Sequence, residues 1–417
     1  MKVPFFRCEL GDEEISEVAD TLRSGWLTTG PKVRRFEAAF AESVGARHAV
    51  AVASGTAALH LAAEALGLEA GQAVLVPTLT FAATAEVVRY LNAYPVLVDC
   101  DPETLNLDLE DAERKLRRAQ QGRLCPGIPG PVRIVGIIPV HVGGLMLDMD
   151  RVRGFAARWG LWVSEDAAHA FPAAYRANST AAWRRCGEDS SDVTCFSFYP
   201  NKTITTGEGG MAVTARPEIA ERMRTMSLHG LSADAWGRYE AVDRWDYRII
   251  APGFKYNLTD IAGAIGIGQL NRAGAMRLAR ERVALQYLEK LSGLDEIELP
   301  PTNEDRIHSW HLFALRLRLE RLAIDRREFI RQLGALGVGT SVHWRPLHLH
   351  PYYEQQYAWR RADFPVASAV WERLISLPVF SSMRQEETDH VVGSIEKLCL
   401  LHRADRSLAV AAQAAGA

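Results

Sequence analysis

Cysteine is scarce in this chain, and what there is lies scattered. Six cysteines occur in 417 residues, at Cys8, Cys100, Cys125, Cys186, Cys195 and Cys399, with no C-x-x-C pair. Neither a disulfide framework nor a zinc knuckle is expected, and no metal site. Long apolar runs are missing too: none reaches the length of about eighteen residues that spans a membrane. Charge of one sign is lacking, since Lys and Arg total 48 against 51 Asp and Glu, a net of -3. With no general basic field and no basic helix-turn-helix pattern, nucleic acid is not the expected partner. No internal repeat is visible, and neither glycine-rich turn fits a Walker loop or G-x-G-x-x-G. The opening MKVPFFRCELGDEE turns acidic too early for a secretory signal, so the cytoplasm is the expected location.

What is present is an ordinary globular composition, 48% apolar and 24% charged, in a chain long enough for a large domain and a smaller one. Residues 11–24 have helical spacing, with Ile15, Val18, Ala19 and Leu22 on one face. After the turn-rich Gly25–Pro31 comes a second helix that ends at Gly45. Strands then alternate with helices. The strands are expected at 48–53, 73–77, 94–99, 132–140 and 161–166, and the helices at 57–67, up to 91, 108–121 and 148–159. The KLRR run within 108–121 is expected to be a solvated face. This alternation predicts an α/β fold with a mostly parallel sheet flanked by helices. A helix is expected at 216–226, and residues 230–252, with Trp236 and Trp245, look like a loop. The small-residue stretch LTDIAGAIGIGQL forms one helix and residues 275–292 a second. From about residue 293 the pattern changes to a smaller α+β domain. It has strands at HLFALRLRL and GTSVHW and helices at 325–336 and 385–401. The expected domains are 1–270 and 271–417, the second closing on a low-complexity AVAAQAAGA that is expected to fray.

The stretch Asp192–Met211, DVTCFSFYPNKTITTGEGGM, draws the rest together. A strand leads to a single lysine, Lys202, followed by the glycine loop Gly207–Gly210. A lysine amine can form a Schiff base with an aldehyde, and Ser197, five residues earlier, could hold a phosphate. The glycines are expected to clear a path for the lysine to move. Taken alone, Lys202 is better read as a surface lysine in a hairpin loop. Ser54-Gly55-Thr56 at a helix start makes an anion site, although capping alone would explain Ser54. Ligands of parallel sheets sit outside the carboxyl ends of the strands. Thr56, Phe81, His141, Asp166 and Ser197 all fall there, so five positions are expected on one rim.

A pyridine aldehyde phosphate on that rim would give each group a role. Lys202 would anchor the aldehyde and later carry a proton as base and acid. Asp166 would face the ring nitrogen and keep it protonated, making the ring an electron sink. On its own Asp166 is as readily a helix cap for AAHAF. Glu165 alternates to the other side of the strand. His169 could bond the ring hydroxyl and Phe81 could stack on the ring. Gly55, Thr56 and Ser197 would share the phosphate.

SGTAALHLA, the P-x-x-TF near Phe81, PVHVGG, EDAAHA, FSFYPNKTITTGEGG and GFKYNLTDIAGAIGIGQL resemble the DegT-type sugar aminotransferases, over essentially the whole chain. The resemblance implies a fold type I enzyme using pyridoxal 5'-phosphate. It implies Lys202 as the covalent lysine, Asp166 as pyridinium partner and His169 as contact to the ring hydroxyl. Gly55, Thr56 and Ser197 would be phosphate ligands and Phe81 the stacking ring. It also implies a homodimer with active sites at the interface. Many members carry Asn-Tyr-Arg where this chain has Lys255-Tyr256-Asn257, so Asn257 or Lys255 would reach the partner subunit's phosphate. A branch that forms 4-amino-sugars on a uridine nucleotide shares this triplet, and also resembles Ser309–Phe313 and Gly339–Arg345. Relatives with histidine in place of the lysine dehydrate sugars, and Lys202 argues against that activity.

The expected function is transfer of an amino group from glutamate to a nucleotide-linked 4-keto-sugar, in amino-sugar and polysaccharide biosynthesis. Thr28, Thr29, His343 and Arg345 are the candidate sugar-nucleotide contacts. The competing readings are a keto-cyclitol aminotransferase, a cofactor-binding regulator without catalysis, and a bare phosphate-binding α/β transferase.

Overall fold

The computed structural model describes residues 1–231 and 248–404. The expectations for Trp236 and Trp245 and for the AVAAQAAGA tail lie outside the described residues.

The first half builds one sheet. Strands β1 (His48–Val52), β2 (Ala73–Pro77), β3 (Tyr94–Val98), β4 (Ile134–Ile137) and β5 (Trp162–Asp166) come in sequence. The two-residue β6 (Ala174–Tyr175) and β7 (Arg184–Arg185) follow, then β8 (Val193–Ser197) and β9 (Gly210–Thr214). Seven of these form a sheet in the order β1-β9-β8-β5-β4-β2-β3. Its strands are buried almost end to end, as parallel strands covered on both faces must be. β9 alone runs against its neighbours β1 and β8, because the connection from β8 returns directly instead of crossing over a helix. The sheet is thus mostly parallel, as expected. Around it lie α1 (Asp12–Ser24), α2 (Pro31–Val44), α3 (Gly55–Ala65), α4 (Ala83–Tyr90), α5 (Leu109–Gln120), α6 (Met149–Trp159) and α7 (Pro217–Met226).

Four expectations need correction. The two helices expected around residues 258–292 are one, α8 (Asp260–Leu291), continuous through residues 270 and 271. A glycine within a helix, such as Gly274, costs about 1 kcal/mol, and packing against α1 and α2 outweighs it. Gly266 lets α2 come close, since a Cβ there would lie 2.7 Å from the Phe36 ring. Second, α1 does not bury its apolar face. Glu14 is buried, held by Arg272 at 2.7 Å and Gln269 at 2.8 Å, while Ile15 and Leu22 are exposed. Third, Lys115 in the KLRR run is not solvated. It is buried, with its ammonium over the Phe364 and Trp359 rings. Fourth, GTSVHW is no strand. It makes a single bridge, Ser341 to Ser376, and then leaves the sheet edge to wall a pocket.

Among the described residues the remaining strands and α-helices are β10 (Ile297–Glu298), β11 (Arg306–Ile307), β12 (Phe313–Leu317), α9 (Arg326–Ala335), α10 (Pro351–Tyr357), α11 (Pro365–Arg373), β13 (Leu374–Leu377) and α12 (Gln385–Leu401). A three-stranded sheet β10-β12-β13 carries a second core containing Tyr287, Phe313, Phe329 and Ile395. Val3 joins this second core, whereas Leu347, Tyr357 and Phe364 join the first. Among the described residues no helix is long and apolar enough to cross a membrane.

Candidate functional site

At the carboxyl ends of β1, β5 and β8 the sheet opens into a cavity of about 600 Å³. Three features of the sequence build it. Ser54 caps α3, accepting the Ala57 amide at 3.0 Å. The amides of Gly55 and Thr56 thereby stand ahead of the first intrahelical bonds, at the positive end of the helix. Ser197, the last residue of β8, abuts Gly55 so closely that a Cβ on Gly55 would sit 2.9 Å from the serine Cβ. This makes a cradle of amides and a hydroxyl for an anion.

The glycines after Lys202 serve the same cradle. A Cβ on Gly210 would meet the Ser54 carbonyl oxygen at 2.4 Å, and one on Gly209 the Thr206 hydroxyl at 2.2 Å. Gly210 lets backbone pack on backbone, and Gly209 leaves room for the Thr206 side chain.

Lys202 lines the cavity between β8 and β9. Burial lowers its amine from the usual 10.5 to about 8, against the pull of Asp166 and with the help of the Arg280 charge. Arg280 was not anticipated. It is buried on α8, donating to the carbonyls of Val379 at 2.8 Å and of Trp310 and Lys202 at 3.4 Å. It therefore ties the lysine loop to the second core.

Asp166 ends β5. No helix follows it, so it is not the cap of AAHAF; its Oδ1 instead accepts the Ala168 amide at 3.2 Å. Its Oδ2 accepts the Thr84 hydroxyl at 2.8 Å. Burial raises its pKa, and these two bonds and Lys202 only partly offset that. Thr84 carried no sequence signal; topology alone brings α4 to β5. Glu165 faces the opposite side, as strand alternation requires.

His169 lies beside Asp166 in the cavity wall, between Trp344 at 5.1 Å and His311 at 4.0 Å between ring centroids. Burial first, then the Lys202 charge, keeps it neutral. Phe81 is 61% exposed, which takes it out of the core and leaves it on the cavity rim. His343 also lines the cavity; its Nδ1 meets the Ser376 hydroxyl at 2.8 Å, and burial lowers it to about 4. Tyr199, Glu208, His311 and Trp344 also line the wall without having been singled out as site residues.

Other candidates fall elsewhere. His141 is fully buried behind the cavity, its Nε2 donating to Glu165 at 2.7 Å, so four of the five expected rim positions reach the site. Thr28, Thr29, Asn257 and Arg345 do not line this chain's cavity. Asn257 donates to the Thr29 hydroxyl at 2.8 Å and accepts from Lys255. His141, Glu165 and Cys186 bring possible metal ligands close together. The Leu147 amide donates to His141 Nδ1, however, which puts the ring hydrogen on Nε2 toward Glu165, and no histidine lone pair is left there.

An amine with a lowered pKa, a carboxylate opposite it and an anion cradle at a helix start are what an aldehyde cofactor with a phosphate tail requires. Residues 9–396 match the model of the DegT/DnrJ/EryC1/StrS aminotransferase family. The spore coat polysaccharide biosynthesis protein SpsC of Bacillus subtilis is 40% identical, covering 95% of this chain and 97% of SpsC. DesV from S. venezuelae, solved in complex with a ketimine intermediate, is 32% identical with a TM-score of 0.83, over 97% of this chain and 100% of that one. The putative sugar aminotransferase Spr1654 from Streptococcus pneumoniae, in its PMP-form, has a TM-score of 0.84 at 28% identity, over 96% of this chain and 99% of its own. The chain thus belongs to the DegT/DnrJ/EryC1/StrS aminotransferase family and is an aminotransferase dependent on pyridoxal phosphate.

Proposed function

We propose that this enzyme aminates the 4-keto position of a nucleotide-linked sugar, with glutamate as donor, as a cytoplasmic homodimer serving polysaccharide biosynthesis. The observation that carries the chemistry is the Lys202–Asp166–His169 group at the anion cradle. The sugar reading is supported by the names of SpsC and Spr1654. The 4-keto position is supported by the Lys255-Tyr256-Asn257 triplet and the likeness of Ser309–Phe313 and Gly339–Arg345 to the 4-amino-sugar branch.

The pocket fits the cofactor. The cradle of Gly55, Thr56 and Ser197 suits its phosphate, and Phe81 on the cavity rim would suit its ring. Bound there, pyridoxal phosphate supplies an electron sink for charge developing on the carbon next to the transferring nitrogen. Lys202 would hold it covalently and, when free, would take and return a proton at Nζ; an amine whose pKa is lowered to about 8 can do both at neutral pH. Asp166, fixed by Thr84, holds a proton on the ring nitrogen. His169 presents a ring nitrogen to the ring hydroxyl. Asn257 or Lys255, outside this chain's own cavity, reaches the phosphate in the partner subunit's site. The exposed Ile15 and Leu22 on α1 offer apolar surface to that second copy. His343, and with it Thr28, Thr29 and Arg345, contacts the sugar nucleotide.

The test is a panel of 4-keto and 3-keto nucleotide sugars against keto-inositols, each with glutamate. Fastest turnover is expected on a 4-keto nucleotide sugar. Preference for a keto-inositol would replace this reading with a cyclitol aminotransferase. Absence of any half reaction with glutamate would remove it as donor.

A further inference from the structure

Beside Lys202, against the back wall of the main cavity, lies a separate small space of about 10 Å³. His169, Lys202, Thr203, Ser197, Phe171 and His311 surround most of it. A buried water needs roughly 10–15 Å³ and two to four polar partners. The partners are in place. Nδ1 of His169, both ring nitrogens of His311 and Oγ1 of Thr203 are shut off from solvent and bond to no group among the described residues. The three residues are 7%, 4% and 6% exposed. Buried polar atoms in native proteins find partners, and four unpaired ones on three residues that line one small space call for a shared partner there.

The arrangement also singles out His169. Its ring is clamped between Trp344 and His311, so its two nitrogens have fixed surroundings. Nδ1 is enclosed, while Nε2, bonded to no group among the described residues either, is the ring nitrogen left open to the main cavity. Whatever occupies the small space therefore decides which nitrogen of the neutral ring carries the hydrogen.

We propose that this space is a built site for one ordered water, held by His169 Nδ1, His311 and Thr203 Oγ1, and that His311 is a positioning residue acting through that water. The water accepts a hydrogen bond from the Thr203 hydroxyl or the His311 N–H and donates one of its hydrogens to His169 Nδ1. The hydrogen of His169 then stays on Nε2, pointed into the main cavity. The group that receives it there is the cofactor's ring oxygen, and that last step rests on the reading of His169 given above. The water itself does not.

The test is a crystal structure of the holoenzyme at a resolution that orders internal waters, with ¹⁵N spectra of its histidines, for the wild type, His311→Leu, His311→Gln and Thr203→Val. One water within hydrogen-bond reach of the three residues, and Nε2-protonated His169, are expected in the wild type. His311→Leu should displace the water, mix the tautomers of His169 and lower kcat about tenfold, with KM for glutamate little changed. His311→Gln, which keeps a donor and an acceptor, should restore most of both signals. Thr203→Val, nearly isosteric, carries the test if His311→Leu does not fold. An ordered wild-type cavity without water, or a His169 tautomer unmoved in both His311→Leu and Thr203→Val, overturns the proposal. If the cofactor reading alone is wrong, the water and the tautomer remain while pyridoxal phosphate leaves the histidine spectra unchanged.

Discussion

Glu165 and Asp166 are neighbours on one strand, both carboxylates, both buried, yet they lead opposite lives. Glu165 accepts from His141 Nε2 at 2.7 Å, Ser190 at 2.5 Å and Thr194 at 3.0 Å. Burial pushes its pKa up, but this set of donors outweighs burial and holds it below the usual value. Asp166 has one hydroxyl and one amide, and burial wins. Burial alone therefore does not say what a carboxylate is for. The number of fixed donors does: Glu165 is a finished structural anion, while Asp166 is left with fewer donors beside the cavity, where the proposed cationic ring nitrogen would complete it.

The largest effect is expected on the cavity side. Lys202→Ala should cut kcat by at least about a thousandfold and abolish the visible absorbance of covalently held cofactor. An activity above a tenth of wild type would break the assignment. Asp166→Asn comes next, with kcat about a hundredfold lower but a melting temperature equal to or above wild type. The reason is a sign. The raised pKa of Asp166 makes its ionised form a cost, so its contribution to stability is present only below the unfolded value of 3.8 and is lost as pH rises through the folded one. Glu165→Gln should do the reverse, costing about 1–3 kcal/mol of stability with cofactor binding retained. Glu165 stabilises above 4.5 and loses that effect as pH falls through its lowered folded value. Thermal melts from pH 3 to 8 would expose equal behaviour of the two variants, which would dissolve the contrast.

The smallest effect sharpens it. Covalent uptake of pyridoxal phosphate should rise with pH around a midpoint near 8, where Lys202 loses its proton. Asp166 holds that midpoint up, so Asp166→Asn should move it lower, while Glu165→Gln should leave it in place. Stopped-flow absorbance against pH measures both.

Much of this was legible in the chain. The β–α alternation, the capped helix start at Ser54–Thr56, the lone lysine after β8 and the carboxylate pair ending β5 are local patterns, and each appeared where expected. Resemblance supplied the rest of the chemistry. The failures share one cause. Lys115 has the sequence context of a surface lysine, but Trp359 and Phe364 arrive from more than two hundred residues away to cover it. GTSVHW has strand composition, but lies where the chain must leave the sheet to wall the site. His141 was expected at a strand end like the rim residues, yet β4 stops at Ile137 and His141 serves Glu165 behind them.

By itself, then, the sequence determined the elements, the direction of most strands and which side chains could do chemistry, because those depend on periodicity, capping and residue type over short spans. Only the tertiary structure decided what state each group is in. Thr84 on Asp166, Arg280 behind Lys202 and His311 against His169 are separated from their partners by 82, 78 and 142 residues, arithmetic that no local pattern encodes. Protonation follows from burial and from the donors at hand. Both are set by which distant segments meet.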